Sequence, residues 1–470
     1  MHEPNWMSVL PPLLAIILAI LTRQVVISLG MGIWAGFCIL ESVNPVAGVA
    51  LAIEGVIQVF SDAGNTRVLV FTLVIGGLIT TMEKVGGVGG FVQLLRQRAW
   101  VNSPAKAQWL AYLVGVVVFV ESNITLLVAG SISRPLFDRY RISREKLAYI
   151  IDSTSAPICI LIPLNSWGAF VAGLLAAASV SNPVGVFLSS IPLNFYPITV
   201  IVFSAVVIWR KLDIGPMRRA EQRTQAGQIL WPNAKPMFDP PQLSMTQADT
   251  RDKARFMLAP IVMMVIAMPL GLFITGGGEM AKGSGSTAVL WAVLLALLTN
   301  WVLVLLHRRA GLDELMQTFL KGAGDFLPVA MILLFALALG DIANLLGTGI
   351  YVAQLAQESV PVYWLLPLLF LLSGFIAFSM GTSWGTFAIM IPLAVQLAVA
   401  LDVSAPVFLA AVLSGAVFGD HASPISDTTV VASMASATDH IDHVRTQLPY
   451  ALICAGIAAL AFLFAGLLIL

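Results

Sequence analysis

Two short stretches of this chain hold side chains that can do chemistry where little else can. Residues 419–429 read Gly-Asp-His-Ala-Ser-Pro-Ile-Ser-Asp-Thr-Thr, inside a run from Val407 to Met434 dominated by Leu, Ala, Val, Phe and Gly. Residues 152–157 read Asp-Ser-Thr-Ser-Ala-Pro, again in apolar surroundings. Carboxylates and hydroxyls are oxygen ligands, the kind a hard cation takes. The candidate ligands are Asp152, Ser153, Thr154, Asp420, Ser423, Ser426, Asp427 and Thr428. Two more polar interruptions, Glu-Ser-Asn-Ile-Thr at 121–125 and Gly-Thr-Ser-Trp-Gly-Thr at 381–386, add Glu121, Asn123, Thr382 and Ser383 as substrate or gating residues. His421 joins them by position. An ionised carboxylate inside a bilayer costs several kcal/mol, so it must pair, coordinate an ion or take up a proton. A carboxylate that holds a cation and a proton in turn is an exchanger in principle, and Asp152 and Asp420 are the candidates for that alternation.

The surroundings of these residues make the chemistry membranous. Of 470 residues, 58% are hydrophobic and 11% charged, with mean hydropathy +0.91. Soluble domains carry roughly a quarter charged residues. Runs at 9–22, 25–40, 68–82, 185–209, 256–275, 287–306 and 450–470 approach or reach the roughly 20 residues that span a bilayer. An all-α integral membrane protein is expected. Formal charge is zero, and nothing points to nucleic acid. Cys38, Cys159 and Cys454 lie in apolar stretches without metal-type spacing and read as small packing residues. The opening Met-His-Glu-Pro-Asn-Trp lacks the basic start of a cleavable signal peptide.

Basic residues flank some hydrophobic runs and avoid others. They cluster near 96–106, 134–146, 210–255 and 308–321, while 41–67, 181–185, 276–286, 358–361 and 401–405 contain only Arg67 and Lys282. The positive-inside rule puts the first group in the cytoplasm. Residues 104–133 then enter and leave on the cytoplasmic side, and 363–400 do so from outside, so both read as re-entrant hairpins. A repeat supports the pairing. Residues 63–97 lie over 323–357, with Ala63-Gly64 on Ala323-Gly324 and Gly87 and Gly89 on Gly347 and Gly349. The charge-derived topology gives the halves opposite orientations, which in many secondary transporters places a site near the midplane. The expected organisation is a first half over 1–209 with a broken helix about 147–180, a cytoplasmic linker over 210–255, and a second half over 256–470 with a broken helix about 404–436.

Plainer roles stand beside these. Asp152 and Asp427 also suit helix N-caps. His421 also suits a wet entrance where it only shapes the field, and Glu121 a hydrated hairpin tip. Glu83 beside Lys84 reads as an interfacial pair, whereas Asp341 reads as buried. The glycines at 86–90 are no nucleotide loop, lacking the Lys-Ser/Thr ending. Trp167 and Trp384 read as packing or gate residues beside polar breaks.

The segments 419–429 and 381–386, together with Arg134-Pro and the run Ser-Arg-Glu-Lys-Leu-Ala-Tyr-Ile-Ile-Asp-Ser-Thr-Ser-Ala-Pro ending at Pro157, resemble the signature segments of the NhaC-type sodium/proton antiporter family. The likeness extends over nearly the whole chain. It implies the ion transporter superfamily fold, with two inverted repeats, two re-entrant hairpins and two unwound helices. It also implies a scaffold with a moving transport domain, often in a homodimer, working by elevator-like motion in the cytoplasmic membrane. Sodium/proton exchange is the implied activity, with no cofactor: sodium and protons enter as transported substrates, and the lipid bilayer is the standing partner. Relatives that exchange malate for lactate share the motifs, so exchange of a small organic anion or amino acid is the alternative. One departure bears on stoichiometry. Many members carry Asp-Asp-Tyr-Phe-Asn at the first hairpin tip, where this chain has Glu121-Ser-Asn-Ile-Thr125.

Overall fold

The computed structural model describes residues 4–469 except 23, 42–43, 88, 92–100, 118, 120–121, 164, 179, 237–250, 280–282 and 360. The chain is a helical assembly. Its first helices are α1 (Leu10–Thr22), α2 (Val25–Leu40), α3 (Pro45–Gln58) and α4 (Ala63–Lys84). Then come α5 (Pro104–Val117), α6 (Ser122–Arg139), α7 (Arg144–Thr154), α8 (Ala156–Leu161), α9 (Ser166–Ala177), α10 (Pro183–Ser190), α11 (Phe195–Arg210) and α12 (Pro216–Gln225). The second part holds α13 (Arg255–Thr275), α14 (Gly285–Leu306), α15 (Leu312–Asp325), α16 (Leu327–Leu345) and α17 (Thr348–Ser359). It ends with α18 (Leu365–Met380), α19 (Ser383–Ala400), α20 (Ala405–Ala422), α21 (Asp427–Ser436) and α22 (His440–Ile469).

Seven of the described helices are long and apolar enough to cross a membrane, or nine if two bent pairs each count as one span. The protein is a multi-pass membrane protein. Burial separates the spans into two kinds. In α20 83% of the hydrophobic window is buried and in α19 72%, against 28% in α14 and 33% in both α13 and α22. A span that hides its surface from lipid is the one that can carry polar side chains, and the 419–429 stretch begins at the end of α20. Close packing accounts for part of that burial. A Cβ on Gly415 would come within 2.2 Å of the Phe370 carbonyl oxygen, and one on Gly419 within 2.1 Å of that of Gly374. Small residues there let α20 and α18 pack backbone to backbone, as membrane helices do where no hydrophobic drive exists between them.

Several sequence expectations change in three dimensions. The run at 185–209 is not one straight span: α10 and α11 are bent by 44° about Asn194. Pro192 and Pro197 cannot supply the amide hydrogens a continuous helix needs there. Residues 210–255 are not loop throughout, because α12 lies folded within them. Lys84 pairs with Glu314 of α15 at 3.2 Å rather than with Glu83, since neighbours on a helix point in different directions. Asp341 is exposed. The buried face of α16 comprises Ala330, Leu333, Leu334, Ala336–Leu339, Ile342 and Ala343, which leaves Asp341 turned outward.

Candidate functional site

The first break follows α7. Ser143 caps the start of that helix, its Oγ accepting the Lys146 amide at 3.3 Å. The helix stops at Thr154, and α8 begins with Pro157 in its first turn. Asn165 bridges the next gap. Its Nδ2 donates to the carbonyls of Cys159 at 2.8 Å and Phe119 at 3.1 Å, while its Oδ1 accepts the Gly168 amide at 3.0 Å. One amide side chain therefore ties the α8–α9 break to the connection between α5 and α6. The second break follows α20, whose end is capped by Ser423. Ser426 then caps α21, accepting the Thr429 amide at 3.5 Å. Gly381, at φ +71°, turns the chain between α18 and α19, a conformation that glycine adopts without a Cβ penalty.

Asp420 is 1% exposed, and both of its carboxylate oxygens accept hydroxyls. Ser383 Oγ donates to Oδ2 and Ser426 Oγ to Oδ1, each at 2.6 Å. Thr428 Oγ1 lies 2.9 Å from Ser426 Oγ. Hydroxyl oxygens from the starts of two helices thus face one carboxylate near the end of a third. Asp152, also 1% exposed, has a different neighbourhood. Its Oδ2 accepts from Gln447 Nε2 at 2.8 Å and lies 3.3 Å from His443 Nε2. Gln447 Nε2 also donates to the His421 carbonyl at 2.6 Å. A single amide therefore joins Asp152 to the backbone one residue past Asp420. Three buried polar atoms of this group, Asp152 Oδ1, His443 Nδ1 and Gln447 Oε1, have no hydrogen-bond partner among the described residues. His421 is 2% exposed, so the wet-entrance reading fails. Its Nδ1 lies 2.7 Å from Tyr196 Oη and its Nε2 3.3 Å from Ser153 Oγ.

The other expected residues divide. Thr154 Oγ1 donates to the Ile150 and Ile151 carbonyls at 2.8 and 3.3 Å, and Ser423 Oγ to that of Phe378 at 2.7 Å. Both hydroxyls are committed to backbone. Asp427 is exposed in the first turn of α21 and hydrogen-bonds the Asn123 side chain. Thr382 is half-buried, its carbonyl accepting Thr386 Oγ1 at 3.1 Å. Glu121 lies outside the described residues. Trp167 and Trp384 face each other with ring centroids 5.2 Å apart, next to the breaks at 162–165 and 381–382. Sequence reasoning missed His443, Gln447 and Tyr196. A signal existed for two of them, because His443 and Gln447 are one turn apart at the head of an otherwise apolar helix.

Outside the membrane-spanning helices, α12 docks on the start of α7 through ionic contacts. Arg223 forms a two-pronged pair with Glu145 at 2.7 and 3.0 Å, Lys146 meets Asp213 at 2.7 Å, and Ser143 donates its amide and hydroxyl to Glu221 at 2.9 and 2.5 Å. Burial pushes the Glu221 carboxyl above its ordinary value, against the opposing pull of Lys146 and Ser143. Among the described residues no group of three or more His, Cys, Asp or Glu side chains is placed to hold a metal ion. What surrounds Asp420 is hydroxyl.

Comparison with known proteins places this arrangement. An uncharacterised protein of Haemophilus influenzae is 32% identical over 98% of this chain and 90% of its own length. The malate-2H(+)/Na(+)-lactate antiporter of Bacillus subtilis is 33% identical over a shorter stretch, 37% of this chain and 38% of that protein. Among solved structures, the YdaH transporter of Alcanivorax borkumensis superposes with a TM-score of 0.58 over 89% of both chains, at 15% identity, a likeness of fold. The model of the Na+/H+ antiporter family matches residues 158–467. A multi-pass helical chain with buried carboxylates at two helix breaks is thus a secondary transporter rather than an enzyme, and it belongs to the Na+/H+ antiporter family.

Proposed function

We propose that the protein exchanges sodium for protons across the cytoplasmic membrane and that Asp420 is the cation-binding carboxylate. The observation that carries this reading is the pair of 2.6 Å hydroxyl contacts on a carboxylate 1% exposed. Ser383, Ser426 and Thr428 present oxygen atoms to the same place, and hydroxyls reorient readily. They donate to the carboxylate when no cation is bound and turn their lone pairs to the ion when one is. Sodium is the cargo and the proton its counter-cargo, since a buried carboxylate is neutralised by either.

Alternating access by an elevator-like motion fits the order of elements. The succession α5–α6 then α7–α8–α9 is followed, 260 residues on, by α18–α19 then α20–α21. The basic flanks of the two sets support opposite orientations and a cytoplasmic 210–255 segment. The family resemblance supports a homodimer. A second reading, exchange of a small organic anion against cations, is favoured by the likeness to the malate/lactate antiporter.

Purified protein in liposomes, given an imposed sodium gradient and an internal pH dye, separates the two. Sodium-driven proton movement without any organic solute is the expected result. Flux that appears only after malate, lactate or another organic acid is added would transfer the assignment to the second reading.

A further inference from the structure

A cavity of about 470 Å³ lies between the α12 segment and the first turns of α22, and neither Asp152 nor Asp420 lines it. Its volume falls within the range of small-molecule pockets, roughly 300–1,000 Å³. Arg219 of α12, Trp231 and Asn233 from the segment after it, and Asp442, Arg445 and Thr446 of α22 line it. Asp439 also borders it, but its carboxylate already accepts the amides of Lys235, Ile441 and Asp442 at 2.8, 2.9 and 3.1 Å. The Arg223 guanidinium, fixed by Glu145, sits 4.7 Å over the Trp231 ring and holds it in place. By contrast, the side chains of Arg219, Arg445 and Asp442 take part in no hydrogen bond or ion pair among the described residues.

Two guanidiniums and a carboxylate, of which Asp442 feels the charge of Arg445 without closing an ion pair with it, select by charge around an indole. A simple anion is attracted to the arginines but meets Asp442. A simple cation is attracted to Asp442 but meets the arginines. A molecule bearing both charges a few atoms apart satisfies all three. Guanidinium is suited to a carboxylate through paired N–H donors, and an aromatic face accepts either an apolar or a cationic side chain. We propose that this cavity binds a free α-amino acid, its carboxylate at Arg219 and Arg445, its ammonium at Asp442 and its side chain along Trp231.

The placement gives the site a route to the membrane interior. Asp442, Arg445 and Thr446 line the cavity, while His443 and Gln447, on the same two turns of α22, touch Asp152. Thr446 Oγ1 donates to the His443 carbonyl at 2.9 Å. A ligand that shifts this end of α22 therefore shifts two donors of a buried carboxylate. Binding itself does not depend on what the protein transports.

Isothermal titration of the purified full chain with each of the twenty standard L-amino acids tests the proposal. At least one is expected to bind. Its decarboxylated amine and its deaminated acid are each expected to bind at least about tenfold more weakly, near 1.4 kcal/mol. R445Q and D442N, both at the cavity wall, are expected to weaken binding by about tenfold or more, with R219Q as a second arginine variant should R445Q not fold. D420N is expected to leave the affinity unchanged. The proposal is overturned if none of the twenty binds, if either analogue matches its parent, if the wall variants bind normally, or if D420N abolishes binding and so moves it to the buried site.

Discussion

Asp152 and Asp420 are equally buried, each two residues from the end of its helix, yet their surroundings differ in kind. Asp420 accepts two short hydroxyl contacts and has a third hydroxyl behind them. Asp152 accepts an amide hydrogen from Gln447 and stands beside the imidazole of His443. Hydroxyl oxygen can donate or accept, so it serves a carboxylate and a bound cation alike. The Gln447 nitrogen can only donate, and it is committed to two acceptors. On the proposed reading, the hydroxyls around Asp420 suit an occupant that is exchanged, whereas the amide beside Asp152 suits a carboxylate held still. The lesson is that the residue type repeated at both breaks matters less than the atoms that face it.

The largest expected effect comes from removing the carboxylate within the cage. Asp420→Asn keeps the shape and deletes the charge, and sodium-driven proton flux in liposomes is expected to fall by at least about a hundredfold, because nothing remains to attract the ion in a medium where an ionised group costs several kcal/mol to bury. Normal flux with an intact, monodisperse protein would break the comparison at its centre. Ser383→Ala and Ser426→Ala probe the hydroxyls singly. Each removes a charge-assisted contact whose net contribution is about 1.5–3 kcal/mol, so the apparent sodium KM is expected to rise by roughly tenfold or more in each. An unchanged KM in both would mean the hydroxyls serve only to satisfy the carboxylate.

Much of this geometry was readable from residue order, and the unread part has an identifiable cause. The polar interruptions at 152–157 and 419–429 stand out because oxygen-bearing side chains are costly in lipid, whatever the fold. The break after Thr154 follows from Pro157, and the cap at Ser426 from its serine. Partners from distant elements leave no such local trace. Nothing near Asp152 announces Gln447, 295 residues later, and Tyr196 reaches His421 across 225 residues. The direction a hydroxyl takes is equally silent. Thr154 and Ser423 look like ligands in the sequence, but each turns to a backbone carbonyl, a habit of Ser and Thr in helices. Burial of a charged residue in a span is set by which helical face it occupies, which is why Asp341 reads as buried yet faces outward.

Breaking the amide clamp is expected to matter less than emptying the cage. Gln447→Leu deprives Asp152 and the His421 carbonyl of a donor together. An unsatisfied buried group costs about 1–3 kcal/mol, so flux is expected to drop about tenfold and the melting temperature to fall, with the sodium KM within about threefold of wild type. If the KM rises as far as it does in Ser426→Ala, Asp152 is a ligand on the same footing as Asp420 and the contrast between the two regions collapses.

The smallest expected effects belong to Thr154 and Ser423, whose hydroxyls turn to backbone carbonyls. Thr154→Val conserves volume, and Ser423→Ala removes one oxygen. In both the lost partner is a backbone carbonyl with a second lone pair, of the sort helices leave half-used. The apparent sodium KM is expected to stay within about twofold, since no charge-assisted contact is removed. The pair tests the comparison from its quiet side: hydroxyls within a few residues of each aspartate are silent if orientation decides, and as costly as Ser383 and Ser426 if proximity alone does. A tenfold rise in KM for Ser423→Ala would show that its hydroxyl leaves Phe378 when the ion arrives, and the cage would then extend around the end of α20.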